Sequence, residues 1–271
     1  MQEALRGRRA HSVFAVWATA GAAREPWLNG VKVKVCAAEE VERRCGSPAH
    51  QGVCADAGGY PYAGSDELLA TADPLIVALD QVQDPQNLGS ICRTAECAGA
   101  TGIVIPERRS AEVTPAVCKA SAGAVEHLRI ARVRNVADFL GEARDAGCWC
   151  YGASAPAGGS PVSGGEGSVG RGKLRDGVVP GEERSAAKQH RPRASGGPPT
   201  VLYTAPDYSG GVVLVLGSEG SGLRPRVAGA CDQLVSLPLL GRMESLGVAA
   251  AAAALLYGIL QGRQEVLDKA P

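Results

Sequence analysis

The chain has 271 residues, 45% of them hydrophobic, which is ample for a core and long enough for one large domain or two modest ones, with two as the expectation. Lys plus Arg (28) equals Asp plus Glu (28), so no global positive field draws in nucleic acid, and any RNA contact has to come from local patches. The start MQEALRGRR lacks the apolar core of a signal peptide, and the longest apolar run, Leu246 to Leu260, is shorter than the ~20 residues of a membrane span, so a cytoplasmic protein with no membrane partner is expected.

In chain order, the first 55 residues mix short apolar strings (VFAVWA, VKVKVCA) with a charged helical patch, AEEVERRCG, that a glycine closes, and this predicts a small α/β unit. Residues 56–73, rich in Gly, Pro, Tyr and Asp, suit a linker. The division that follows is an N-terminal domain over 1–60, a linker over 61–73 and a larger domain over 74–271. From Pro74 the texture changes. PLIVALD and TGIVIP are continuous apolar strands, and between them Asn87 can cap a helix that Gly99 ends, which is a βαβ unit with strands buried on both faces. A helix over 114–124, strand RIARV, helix NVADFLGEARDAG and strand CWCYGAS continue the alternation, so a parallel sheet is predicted. Residues 155–200 interrupt it with 11 glycines, one leucine, no isoleucine and no aromatic residue, a composition that reads as a disordered surface insertion. Regular structure is expected to resume with VVLVLG (212–217), a short helix, strand QLVSLPL and a long Ala-rich helix.

Nine cysteines, odd in number and without a CxxC pair, fit a reduced compartment. Cys148 and Cys150 flank Trp149 on one strand and could form a zinc half-site, but no matching pair exists elsewhere and the four His residues make no ligand motif, so buried thiols and no metal are expected.

Three short stretches carry chemistry. DPQNLGSICRTAECAGA runs a strand into a helix start, whose free N–H groups and dipole suit an anion or a polar ligand edge. LGSEGSGLR is a glycine turn at a strand's carboxyl end, where open α/β sheets bind ligands, although an ordinary tight turn explains it equally well; Glu219 inside it could serve a loop N–H or Arg224 instead of a substrate. In LPLLGRMESLGVAAAA, Ser245 taken alone reads as a helix cap.

Together, in this order and spacing, the three stretches resemble the motifs of the SpoU branch of the SPOUT RNA methyltransferases. The segment ERRSAEVTPAVCKASAGAVEHLRIARV resembles the bacterial subgroup that 2′-O-methylates a guanosine of 23S ribosomal RNA. EALRGRRAHSVFAVWA is similar to that subgroup's small ribosomal-protein-like RNA-binding domain, entered after its usual start. The resemblance implies an α/β fold with a trefoil-knotted parallel-sheet methyltransferase domain, S-adenosylmethionine as methyl donor, a homodimer that builds each active site from two subunits, and RNA as substrate, ribosomal in preference to transfer RNA. Carried over by motif, Gly217, Leu237, Gly241 and Leu246 would contact the cofactor. Asn87, Arg93, Glu219 and Ser245 would take the catalytic and substrate-side positions, with Arg93 clamping a phosphate and stabilising the developing alkoxide because a guanidinium stays charged. One departure stands out. The family's Ser-Leu-Asn-Val-Ser is here Ser245-Leu246-Gly247-Val248-Ala249, so a side-chain amide is missing from the third motif.

Overall fold

A computed structural model describes residues 1–155 and 197–268; most of the stretch read as a disordered insertion lies outside the described residues. The N-terminal part holds helix α1 (Gln2–Arg6), strands β1 (Val13–Ala18) and β2 (Val33–Val35), helix α2 (Ala38–Cys45) and strand β3 (Val53–Ala57). Its strands form a small sheet in the order β2-β1-β3, with β1 parallel to β2 and antiparallel to β3. Helix α2 ends as its sequence predicts, with Gly46 in the left-handed region at φ 65°.

The larger part follows with α3 (Ser65–Leu69), β4 (Leu75–Asp80), α4 (Pro85–Cys97), β5 (Gly102–Pro106), α5 (Pro115–Ala120), β6 (Arg129–Val133), α6 (Val136–Asp145), β7 (Trp149–Ala153), β8 (Thr200–Leu202), β9 (Val212–Gly217), α7 (Pro225–Ala228), β10 (Gln233–Ser236) and α8 (Val248–Asp268). Seven strands pair in the order β6-β5-β4-β9-β7-β10-β8, and every neighbouring pair is parallel. The late strands β9 and β10 insert between earlier ones, a non-sequential order that a threaded chain requires.

Alternation along the strands sorts the core into two layers. On one face Leu75, Val77 and Leu79 of β4 join Leu88, Ile91 and Ala95 of α4 and Ala252, Leu255 and Ile259 of α8. On the other, Ile76 and Ala78 join Phe139 and Leu140 of α6 and Val227 of α7. Strands buried on both faces have no solvent side to alternate with, which is why they read as unbroken apolar runs.

The stretch read as a linker is anchored at its middle: α3 buries Leu68 completely against the second layer, and Ala63 bridges to Ala131 of β6. The N-terminal part is also tied down. Arg9 forms an ion pair with Glu126, whose side chain is only 2% exposed, and Nε of Arg9 donates to Oε2 at 2.9 Å. The Tyr60 hydroxyl donates to the carbonyls of Val125 and Leu128, both at 2.8 Å.

Two local expectations need correction. The cap of α4 is Asp84, whose carboxylate accepts from the N–H of Gln86 at 3.0 Å with Pro85 at the first helical position; Asn87 lies inside the first turn with its side chain free for other work. Regular structure resumes at β8, before the expected Val212; this edge strand is three residues long with Leu202 facing solvent, too short for a pattern to register. Cys92, Cys148, Cys150 and Cys231 are buried thiols, and among the described residues no group of His, Cys, Asp and Glu is arranged to hold a metal ion.

Candidate active site

Three loops converge at the carboxyl ends of the strands, the edge where parallel α/β sheets take ligands. The first leaves β4 after Asp80 and enters α4 at Asp84. Asp80 is the residue that ends an otherwise wholly apolar strand, and it is fully buried. It sits in register with Gly217 at the end of the adjacent β9. Its carboxylate is clasped by Arg224: Nε donates to Oδ1 at 2.8 Å, Nη2 lies 2.7 Å from Oδ1, and the backbone N–H donates to Oδ2 at 3.0 Å.

The second loop follows β9 and folds back immediately. Ser218 and Gly222 exchange both backbone hydrogen bonds, at 3.1 and 3.0 Å, and Gly220 and Gly222 take φ of 84° and 64°. A Cβ on Gly217 would lie 2.1 Å from the carbonyl carbon of Gly222, so only glycine lets the returning strand pass. The turn lifts Glu219 into solvent, where its Oε1 accepts from Nδ2 of Asn87 at 2.8 Å. Two residues separated by 132 positions, one from each of the first two motifs, thus meet. Arg224 is committed to Asp80, so the sequence-based alternative of a Glu219–Arg224 pair is not what forms.

The third loop runs from Leu237, half-buried against the core, to Gly247, which starts α8 by accepting from the N–H of Ala251 at 3.0 Å. A Cβ built on Gly247 has one neighbour within 4 Å, Oε1 of Glu219 at 3.9 Å. The position that lacks the family's amide therefore lies near the same carboxylate oxygen that Asn87 holds. Between these ends the loop exposes large apolar groups, with Leu240 91%, Met243 78% and Leu246 47% open to solvent, and Gly241 stands exposed among them.

The structure unites Asn87 and Glu219 and leaves two other candidates apart. Arg93 lies on the exposed face of α4, about 9 Å further along the axis than Asn87, and its guanidinium makes no ion pair or hydrogen bond among the described residues. Ser245 is exposed and precedes the helix start at Gly247 by two residues, so it does not occupy the cap position expected of it. Gly217 closes β9 and Leu237 directly follows the end of β10, whereas Gly241 and Leu246 sit on the open loop. Asp80 went unread as a site element, although one carboxylate ending an all-apolar strand was its signal.

The sequence profile of the SpoU rRNA methylase family matches residues 74–190 and 193–257. A protein of Bacillus subtilis (strain 168) assigned to the TrmH family of tRNA/rRNA methyltransferases, YacO, is 36% identical over 222 residues, covering 80% of this chain and 72% of that protein. Among solved structures, an AdoMet-bound rRNA methyltransferase from Sinorhizobium meliloti aligns with a TM-score of 0.67 and 23% identity, over 92% of this chain and 80% of that one. The SpoU methyltransferase AviRb from Streptomyces viridochromogenes, in complex with AdoMet, aligns with a TM-score of 0.68 and 22% identity over 97% and 87% of the two chains. At these identities the two structures establish the shared fold.

Proposed function

Because the chain belongs to the SpoU rRNA methylase family, we propose that it transfers a methyl group from S-adenosylmethionine to a ribose 2′-hydroxyl of RNA, with a guanosine of 23S ribosomal RNA as target. The observation that carries this reading is the meeting of Asn87 and Glu219 at 2.8 Å, with Gly247 facing the same carboxylate. A ribose hydroxyl is a weak acid, and its oxygen must be aimed in line at the methyl carbon while its proton leaves. Asn87 fixes the Glu219 carboxylate so that its remaining lone pairs can orient that hydroxyl and take the proton.

The methyl donor supplies an electrophilic carbon on a sulfonium; the new C–O bond forms as the C–S bond breaks. The third loop fits such a ligand. Leu240, Met243 and Leu246 are apolar and open, which suits the flat face of an adenine, and Gly217, Leu237, Gly241 and Leu246 are the residues proposed to hold it. Arg93 is proposed to clamp a substrate phosphate. Its exposed place on α4 leaves its guanidinium open to such a phosphate, and a homodimer that builds each site from two subunits is part of the same proposal. Residues 1–60 are proposed as a substrate-binding domain.

The test is methyl transfer from labelled S-adenosylmethionine to unmodified large-subunit ribosomal RNA and to a transfer RNA pool, followed by alkaline hydrolysis, which a 2′-O-methylated linkage resists. Label in an alkali-stable dinucleotide from ribosomal RNA supports the full reading, and label in transfer RNA alone would move the substrate. A second reading, an RNA-binding protein of this fold without turnover, has one observation in its favour: Gly247 offers Glu219 no side chain. An inactive parent that gains transfer with Gly247→Asn would establish it.

A further inference from the structure

We propose that a cleft beside the Asn87–Glu219 pair grips the phosphodiester backbone of the RNA strand next to the target nucleotide; the inference rests on RNA being the substrate. The cleft, of about 490 Å³, opens where β4, β5 and β6 end and α6 and α7 begin. Arg108, Arg109, Arg134, Arg224 and Arg226 line it, against one carboxylate, Asp138. In a chain of zero formal net charge this is a local concentration of positive charge of the kind an RNA contact requires.

Most of that charge is uncommitted. Asp138 pairs with Arg226 at 2.8 Å, and both are well exposed. Arg224 gives Nε and Nη2 to Asp80, and its side chain remains 43% exposed, leaving further N–H donors for another acceptor. Arg108, Arg109 and Arg134 are exposed and form no ion pair or hydrogen bond among the described residues. The ten-residue helix α6, capped by Asn135 at the cleft wall, adds the positive end of its dipole.

The backbone is held in an unfavourable form to present this surface. Gln81 and Arg109 both line the cleft and both have positive φ, 64° and 58°, a region that is costly for side chains with a Cβ. The arginines come from three separate loops. Those loops follow β6, β5 and β9, which with β4 between them span three strand spacings, about 14 Å, wider than one phosphate and suited to a run of them.

Shared elements link the cleft to the Asn87–Glu219 pair. Arg224 follows Glu219 by five residues, and its partner Asp80, in register with Gly217, opens the loop that leads into α4 and Asn87. A strand held here would enter the site with its register set by phosphate contacts that carry no base information.

The experiment uses the full chain and compares the parent, the double variant Arg108→Ala/Arg134→Ala, and Arg129→Ala, an exposed arginine at the opposite end of β6. Binding to a labelled fragment of unmodified 23S ribosomal RNA is measured by fluorescence anisotropy across a salt series, with S-adenosylmethionine binding as a check on the folded site. The double variant is expected to bind RNA on the order of tenfold more weakly and to lower the slope of log K against log salt by about 1.4 for a single strand, with cofactor affinity unchanged and Arg129→Ala matching the parent. Parental affinity and slope in the double variant would overturn the proposal, as would a parent that binds no RNA. A parent that binds RNA without methylating it refutes the functional reading alone, and the salt slopes then still decide the cleft.

Discussion

Two carboxylates stand at the ends of the paired strands β4 and β9, and the molecule uses them in opposite ways. Asp80 is fully buried and spends its acceptor capacity on the guanidinium and backbone of Arg224. Glu219, raised on a glycine turn two residues beyond the strand end, is exposed and held by one amide. A buried, saturated carboxylate fixes the geometry of the loop behind the site; an exposed one with a single neutral partner keeps lone pairs for a substrate. On the proposed function, the charge with the stronger partners is structural, and the loosely held charge beside it is left free for chemistry.

The largest effect should come from Glu219→Gln, which removes the proton acceptor and keeps the shape. Methyl transfer is expected to fall by about 10²–10⁴, while denaturant unfolding stays within about 0.5 kcal/mol of the parent. Asp80→Ala should do the converse, costing roughly 3 kcal/mol of unfolding free energy because the guanidinium and the backbone N–H of Arg224 both lose their acceptor. If Asp80→Ala unfolded like the parent, the division of labour between the two carboxylates would be wrong.

Gly247→Asn sharpens the comparison by giving Glu219 a second amide. The space is open, since Oε1 of Glu219 at 3.9 Å is the one atom near a new Cβ. An increase in transfer on the order of tenfold is expected from better orientation, with stability changed by a few tenths of a kcal/mol, the usual difference between Gly and Asn at a helix start. A decrease would mean that the carboxylate needs room on that side.

The smallest effect lies at Cys231. Burial, then the charge of Asp232 and, more weakly, that of Asp80, pushes this thiol up to about 12. The fold therefore favours the protonated thiol, and the stability this contributes is complete below the ordinary thiol pKa of about 8.5 and is lost as pH rises towards 12. Asp80→Asn should move the onset of Cys231 alkylation to lower pH, and Glu219→Gln should leave it in place. Mass spectrometry of alkylated peptides across a pH series reads both.

Much of this was legible in the chain. The strands β4, β5 and β9 announced themselves because burial on both faces makes them continuous apolar runs, and α2, α4 and α6 because glycines or polar caps bound them. The three motifs named Asn87 and Glu219, and the loss of the amide at Gly247, before any geometry was known. What stayed hidden depends on distance in space. Nothing local tells Arg224 to choose Asp80 over Glu219, because that choice follows from the β4–β9 register. Helix α3 was hidden in a five-residue stretch whose single core residue, Leu68, leaves no periodicity to detect. Nothing local groups Arg108, Arg109 and Arg134 with Arg224, because they meet only where separate strand ends line one cleft.

Asn87 and Glu219 are proposed to act as one unit in methyl transfer, and a double-mutant cycle puts that coupling to the test. Single-turnover transfer to unmodified 23S ribosomal RNA would be measured for the parent, Asn87→Ala, Glu219→Gln and the double variant. Strong non-additivity is expected, with the double variant little slower than Glu219→Gln alone, since an amide whose role is to orient that carboxylate has nothing to orient once it is gone. Independent losses that multiply in the double variant, or a Glu219→Gln enzyme as fast as the parent, would contradict it.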